Sequence, residues 1–200
     1  MSPAHVFEPT YERLKRELMA GRWAQDTRLE AHMIGEDYGV SATPVRDCLN
    51  RLTGEGLVVM RPGEGYRVPR LTEKALRDML ELHRLLVVNA VSENRLPLSD
   101  PLQDQMEMSY AQVVLTIFVG LAQLSGNSAT KFTVRALGER LHSVRILEPA
   151  LLEGTSAELQ KMRKARTGRR GELLAAISAY HERRIDAAAA MIAALSGPSP

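Results

Sequence analysis

The sequence predicts a mainly α protein, with three short helices and a β-hairpin in its first third and an all-helical bundle after them. Three observations point there. Between Ser41 and Thr53, Val45, Cys48, Leu49 and Leu52 recur at three- and four-residue spacing, the mark of a helix with one buried face. Residues 57–68 set two β-prone runs, Leu57-Val-Val-Met60 and Tyr66-Arg-Val68, around a Pro/Gly turn. Beyond Thr72 the apolar residues follow helical periodicity alone.

A chain of 200 residues, 44% of them hydrophobic, is long enough for two small domains or one large one. Its net charge is only +2, and residues 1–70 carry ten Lys/Arg against ten Asp/Glu. Any attraction to phosphate must therefore come from how charges are placed, not from their sum. Cys48 is the only cysteine, which excludes an intrachain disulfide and a cysteine-based zinc site. Within an apolar row it reads as a small core residue. No basic region followed by an apolar run opens the chain, and Ala111–Leu124, its most apolar stretch, is too short and too interrupted to span a bilayer. The expectation is a soluble, cytoplasmic protein without a membrane partner. No Ser/His/Asp, Cys/His, metal-ligand or phosphate-loop constellation is present, which argues against an enzyme and against a cofactor.

Taken in order, residues 1–8 show no pattern and predict a loose arm. Leu14, Leu18 and Met19 give a first helix from Thr10 to Gly21, and Trp23 and Leu29 help close its core, with Gln25-Asp-Thr27 as a turn. A second helix runs from Leu29 to Tyr38, with Ala31, Ile34 and Tyr38 facing inward, and stops at Gly39. The third helix follows. Pro44 presets the φ of a first turn, which makes Thr43 its N-cap, with Ser41 as the alternative, and Gly54 its C′ residue. Arg46, Asn50 and Arg51 lie off the apolar row. Helix, glycine-containing turn, helix is the helix-turn-helix arrangement, whose second helix is presented to the DNA major groove, where Arg and Asn read base edges. The hairpin after it makes a wing, with Arg61 and Arg67 beside glycines that let backbone approach phosphate closely.

Residues 10–70 resemble the winged-helix domain of the GntR family of bacterial transcription regulators. The resemblance lies in Tyr11…Leu14, Gly21, Arg28-Leu29, Gly39-Val-Ser-Ala-Thr-Pro-Val-Arg46, Arg51-Leu52, Glu55-Gly-Leu-Val58 and Gly65-Tyr-Arg-Val68. It implies DNA contacts at His32 on the second helix, at Ser41, Thr43 and Arg46 on the recognition helix, and at Gly63 in the wing. The residue pattern adds Asn50, Arg61 and Arg67. Ala42 and His32 stand where members of the family often have Arg, which would alter affinity or operator sequence without removing the mode of binding.

After a boundary at Pro69–Thr72, helices are expected over Glu73–Glu93, Leu102–Leu124, Thr130–Leu147, Ala157–Ala165 and Leu173–Leu195. Breaks fall at Pro97–Pro101, Ser125–Asn127, Pro149–Gly154 and Gly168–Gly171, and the Gly197–Pro200 tail is unpatterned. This gives domains of residues 1–70 and 71–200. The second resembles the helical effector domain of the FadR branch of the family, the FCD domain, through Asp78-Met-Leu-Glu-Leu-His-Arg-Leu-Leu86, Leu121-Ala-Gln-Leu-Ser-Gly-Asn127 and Leu173-Leu-Ala-Ala-Ile177.

Many such domains hold a divalent metal with an Asp and three His. Here Val114, Phe118 and Arg170 stand at three of those positions and the last His is missing, so no metal site is expected. His83, His142 and His181 read as scattered core or surface histidines. Val114 and Phe118 could instead line an apolar effector pocket, with His83 beside it and Arg170 supplying the cationic grip on an acidic group. The functional expectation is a homodimeric repressor that binds a pseudo-palindromic operator in double-stranded DNA and answers to a small acidic or acyl metabolite. The alternative is a DNA-binding regulator whose helical domain binds no ligand and serves only dimerisation or a protein partner.

Overall fold

The structure, a computed structural model, describes residues 3–92 and 108–196. The expected break at Pro97–Pro101, the start of a helix at Leu102 and the Gly197–Pro200 tail lie outside them. The described chain forms two compact units that part between Leu71 and Thr72.

The first unit is α1 (Pro3–Met19), α2 (Ala31–Tyr38), α3 (Ala42–Gly54) and an antiparallel hairpin of β1 (Val59–Arg61) and β2 (Gly65–Arg67). Tyr11, Leu14, Leu29, Ile34, Val45, Cys48, Leu49 and Leu52 close its core. Leu14, Val45, Leu49 and Leu52 have no exposed surface, and each such side chain contributes roughly 1.5–3 kcal/mol of transfer free energy. The segment between α1 and α2 widens the sheet: Leu29 N–H donates to the Tyr66 carbonyl at 2.8 Å, and Arg28 bridges Arg67.

Three expectations need correction here. Residues 3–8 belong to α1, and Phe7 stacks on Tyr11 at 6.2 Å and packs against the core, which gives that end of the helix an apolar anchor. Ser41, not Thr43, is the N-cap of α3; Thr43 adopts helical geometry although Pro44 follows, because the turn is fixed by Gly39 and Ser41 upstream. Gly54 is the last residue of α3, and the left-handed residue that ends it is Gly56 at φ +74°, after which Leu57 and Val58 N–H both reach the Leu52 carbonyl.

The second unit is α4 (Glu73–Ser92), α5 (Tyr110–Gln123), α6 (Ser128–Arg140), α7 (His142–Leu151), α8 (Thr155–Arg166), α9 (Arg170–Asp186) and α10 (Ala188–Leu195). Its core joins Val87 and Val91 of α4 to Val114, Ile117, Phe118 and Leu121 of α5 and to Leu173, Ile177 and Tyr180 of α9. Among the described residues it contains no strand. Asn127 caps α6 through its side chain, at 2.9 Å from Ala129 N.

The helix expected over Thr130–Leu147 is two helices, broken at Leu141 (φ −82°, ψ −3°). The Arg145 guanidinium donates to the Gly138 carbonyl beside that break, at 3.3 Å. Pro149 does not interrupt as expected but lies within α7, since its fixed φ suits a helix and only one backbone bond is forgone. Leu173–Leu195 likewise divides, at Ala187.

Candidate nucleic-acid interface

The apolar row of α3 fixes what its other side presents. With Val45, Cys48, Leu49 and Leu52 fully buried, Ser41, Thr43, Arg46, Asp47, Asn50 and Arg51 are left exposed. The crossing of α2 and α3 is tight. A Cβ added to Gly35 would lie 2.6 Å from the Val40 carbonyl oxygen, so only glycine permits this approach. Gly39 closes α2 in the left-handed conformation at φ +70°, with its N–H on the Glu36 and Gly35 carbonyls.

The hairpin pairs Val59 with Arg67, Met60 with Tyr66 and Arg61 with Gly65. That register sets Tyr66 beside the recognition helix, where its hydroxyl donates to Asn50 Oδ1 at 2.7 Å. Gly63 (φ +77°) and Gly65 (φ +80°) flank Glu64 at the tip. Asp26, the one described non-glycine residue at positive φ, sends its carboxylate to Arg61 at 2.9 Å.

Most guanidinium groups of this unit face carboxylates. Arg13 and Arg22 share Glu17 and Asp37; Arg28 meets Glu30 at 3.1 Å; Arg51 meets Glu8 and Glu55, both at 3.4 Å. Arg67 meets Glu64 at 3.0 Å and donates to the Asp26 carbonyl at 2.7 Å. Burial alone would raise the Glu17 carboxyl, but hydrogen bonds from Tyr38, Arg13 and Arg22 bring it down to about 2. Arg46, exposed in the middle of the α3 front, pairs with no carboxylate among the described residues, as is also true of Arg16 on α1 and of Arg70. His32 is exposed at the start of α2, 3.7 Å from Glu30.

The structure therefore brings Ser41, Thr43, Arg46 and Asn50 together on one exposed helix front, with the wing residues Arg61, Gly63 and Arg67 on the adjoining hairpin. Sequence reasoning missed Gly35 and the role of Tyr66. The first could have been found from a glycine placed one turn before a helix–helix turn. The second depends on hairpin register, which no local pattern states.

In the second unit, Val114 and Phe118 are fully buried core residues, and Phe118 meets the His83 ring edge-on at 4.8 Å. Arg170 is exposed at the start of α9, where it donates to the Ser92 carbonyl at 3.0 Å. His83 Nδ1 lies 2.8 Å from His181 Nε2, and His181 Nδ1 lies 2.7 Å from the Ile177 carbonyl. Since a carbonyl only accepts, His181 Nδ1 carries its proton, and His83 Nδ1 donates in turn. Burial drives His83 well below its ordinary value and His181 down to about 3, so both rings are neutral.

Arg145, which the sequence reading passed over because arginine suggests a surface, is 1% exposed. Its charge lies 5.8 Å from the Phe118 ring, and its Nη2 has no hydrogen-bond partner. Among the described residues His83 Nε2 and His142 Nδ1 also find no hydrogen-bond partner. Among the described residues no group of three or more His, Cys, Asp or Glu is placed to hold a metal, and no helix is long and apolar enough to cross a membrane.

Comparisons with known proteins match the first unit in sequence and the chain in fold. Residues 8–68 match the family described as "Bacterial regulatory proteins, gntR family". The chain is 30% identical over 71 residues to the HTH-type transcriptional repressor GlaR of Escherichia coli K12, a stretch covering 36% of this chain and 32% of that one. It is 38% identical over 58 residues to the HTH-type transcriptional regulator YieP of the same organism, covering 28% and 25% of the two chains. The chain thus spans about a third or less of the length of these relatives.

Over the whole fold, a GntR-type regulator from Rhodococcus sp. RHA1 superimposes with a TM-score of 0.73 at 18% identity, covering 93% of this chain and 97% of that one. E. coli McbR/YncC superimposes at 0.70 and 18% identity, covering 95% and 98%. The family and the relatives matched by the first unit are named as bacterial regulators of transcription. Residues 8–68, which form the helix-turn-helix and its hairpin, are thus similar to the gntR family of bacterial regulatory proteins.

Proposed function

We propose that this chain is a sequence-specific DNA-binding repressor, acting in the cytoplasm as a homodimer on a pseudo-palindromic operator. One observation carries the reading: Arg46 stands exposed in the middle of the α3 front and pairs with no carboxylate among the described residues, while its neighbour Arg51 faces Glu8 and Glu55. An exposed guanidinium at that place can reach a guanine edge bidentately in the major groove. Ser41, Thr43 and Asn50 flank it as further groove contacts, with His32, Arg61, Gly63 and Arg67 on the backbone at either side. A dimer would set two such fronts about one DNA turn apart. Footprinting of bound genomic fragments tests this reading; protected half-sites related by a two-fold axis support it, and protection without sequence preference refutes it.

The second unit, read as an FCD-like domain of the FadR branch, serves as the effector-binding part. Arg145 supports that role: among the described residues no carboxylate pairs with its buried guanidinium, and a bound anion would supply the counter-charge. His83 Nε2, left as a bare acceptor by the tautomer chain, calls for a donor. A ligand with an acidic group and a hydroxyl or amine N–H satisfies both. Val114 and Phe118 would form the apolar wall of the site, and Arg170 lies at the far end of α9. To switch the protein, the ligand must bind two arrangements of the dimer with different affinity.

Thermal-shift measurement with small mono- and dicarboxylates, hydroxy acids and acyl-CoAs, on wild type, Arg145→Met and Arg170→Ala, separates the possibilities. Stabilisation lost only in Arg145→Met supports the buried grip, and loss only in Arg170→Ala moves it to the helix end. No stabilisation by any acid favours a helical unit used for dimerisation or a protein partner alone.

A further inference from the structure

The tip of the wing holds one carboxylate between two guanidinium groups from opposite strands. Glu64 lies 3.5 Å from Arg61 Nη1 and 3.0 Å from Arg67 Nε, and it stands between two glycines whose positive φ values, +77° and +80°, turn the chain sharply enough to close the cluster. The two arginines are fixed from behind as well, Arg61 by the Asp26 carboxylate at 2.9 Å and Arg67 by the Asp26 carbonyl at 2.7 Å. Glu64 itself is half exposed, its side chain at 51%. Glu64 is the most exposed of the four side chains, ahead of Asp26 at 48%, and its carboxylate, unlike that of Asp26, touches both guanidinium groups from the outer end of the turn.

We propose that the Glu64 carboxylate is a built-in surrogate for a DNA phosphate: it occupies the Arg61–Arg67 clamp in the free protein, and a backbone phosphate displaces it on binding. The inference rests on the DNA-binding reading above and adds a device to it. A carboxylate and a phosphate oxygen present guanidinium groups with the same charge-assisted acceptor. The clamp is therefore formed before DNA arrives. Every duplex must first expel Glu64 from it, which weakens attachment to all sequences alike, because phosphate contacts carry no sequence information. Binding then depends more heavily on what Arg46 reads. With a first unit of balanced charge, such a brake suppresses indiscriminate attachment to the excess of non-specific DNA.

The test measures fluorescence anisotropy of a random-sequence 30-base-pair duplex against salt concentration. Proteins compared are wild type, Glu64→Gln, Glu12→Gln as an equal-charge control on the exposed side of α1, and Glu64→Gln combined with Arg67→Ala. The surrogate predicts that Glu64→Gln binds roughly three- to tenfold tighter at low salt, with a salt slope steeper by about one. It predicts less than a twofold change for Glu12→Gln, and loss of most of the gain once Arg67 is gone. Unchanged or weaker binding by Glu64→Gln overturns the proposal, as does an equal gain from Glu12→Gln. Absence of binding by the wild type at low salt would instead refute the DNA-binding reading beneath it.

Discussion

Tyr66 of the hairpin donates its hydroxyl hydrogen to Asn50 Oδ1 of α3 at 2.7 Å, joining by a side-chain bond the two elements proposed to face DNA. With its oxygen engaged, Asn50 keeps its NH₂ donors for a base or phosphate. Tyr66→Phe should cost no more than about 1 kcal/mol of stability, since the bond is exposed. It should change base preference at the position Asn50 reads, as scored by selection from a randomised duplex pool. An unchanged preference would mean that Asn50 does not read bases.

Gly35→Ala should destabilise the first unit by about 1–3 kcal/mol. The new Cβ would meet the Val40 carbonyl at 2.6 Å, and backbone cannot yield as a flexible side chain can. Urea denaturation followed through Trp23 fluorescence checks this. A loss in DNA binding larger than the loss in folded fraction would show that the α2–α3 angle itself sets the fit.

Arg184 ties the helical unit together. Fully buried, it lies 3.0 Å from Glu148 and 2.7 Å from Glu158, stacks on Tyr180 at 3.5 Å and donates to the Tyr110 hydroxyl at 2.9 Å. Removing one partner from a buried pair leaves its counterpart uncompensated, so Arg184→Leu should cost about 3–5 kcal/mol. Arg184→Leu combined with Glu148→Gln should recover part of that. Calorimetric unfolding of both variants measures the difference, and equal losses would mean that packing and not charge is responsible.

Acid should destabilise the two units in different ranges. His181 is held down to about 3 and His142 to about 4 by burial, against an unfolded value of 6.5, so the unfolded chain binds more protons between those limits. Their contribution is complete above pH 6.5 and is lost as pH falls through about 4 to 3. Glu17, held at about 2 against 4.5, contributes above pH 4.5 and loses that contribution below it. Melting between pH 7 and pH 3 should therefore show the helical unit weakening first, and His181→Asn should flatten its slope. A helical unit insensitive to pH from 6.5 to 4 would contradict the buried neutral histidines.

The hydrophobic periodicities of α3 and α4 were legible in the sequence because each helix buries one continuous row and leaves its other side exposed. Val45, Cys48, Leu49 and Leu52, and Leu76, Met79, Leu80, His83 and Val87, are buried as their spacing requires. Helix ends were less legible. Gly54 and Gly56 look alike in a string of letters, and only the bonds back to Leu52 show which of them turns left-handed. The break at Leu141 was invisible because neither glycine nor proline marks it. Arg145 and Arg184 were hidden for a related reason: composition assigns arginine to solvent, and only tertiary packing buries it. The recognition front was readable because its residues are neighbours on one helix. The Tyr66–Asn50 bond and the Glu64 cluster needed hairpin register.

The most direct test compares wild type and Arg46→Ala on the preferred duplex recovered by selection and on random duplex, at one salt concentration. The account predicts that Arg46→Ala loses roughly 1–3 kcal/mol on the preferred sequence and little on random DNA, collapsing the ratio between them. An equal loss on both duplexes, or a wild type without any preferred sequence, would contradict it.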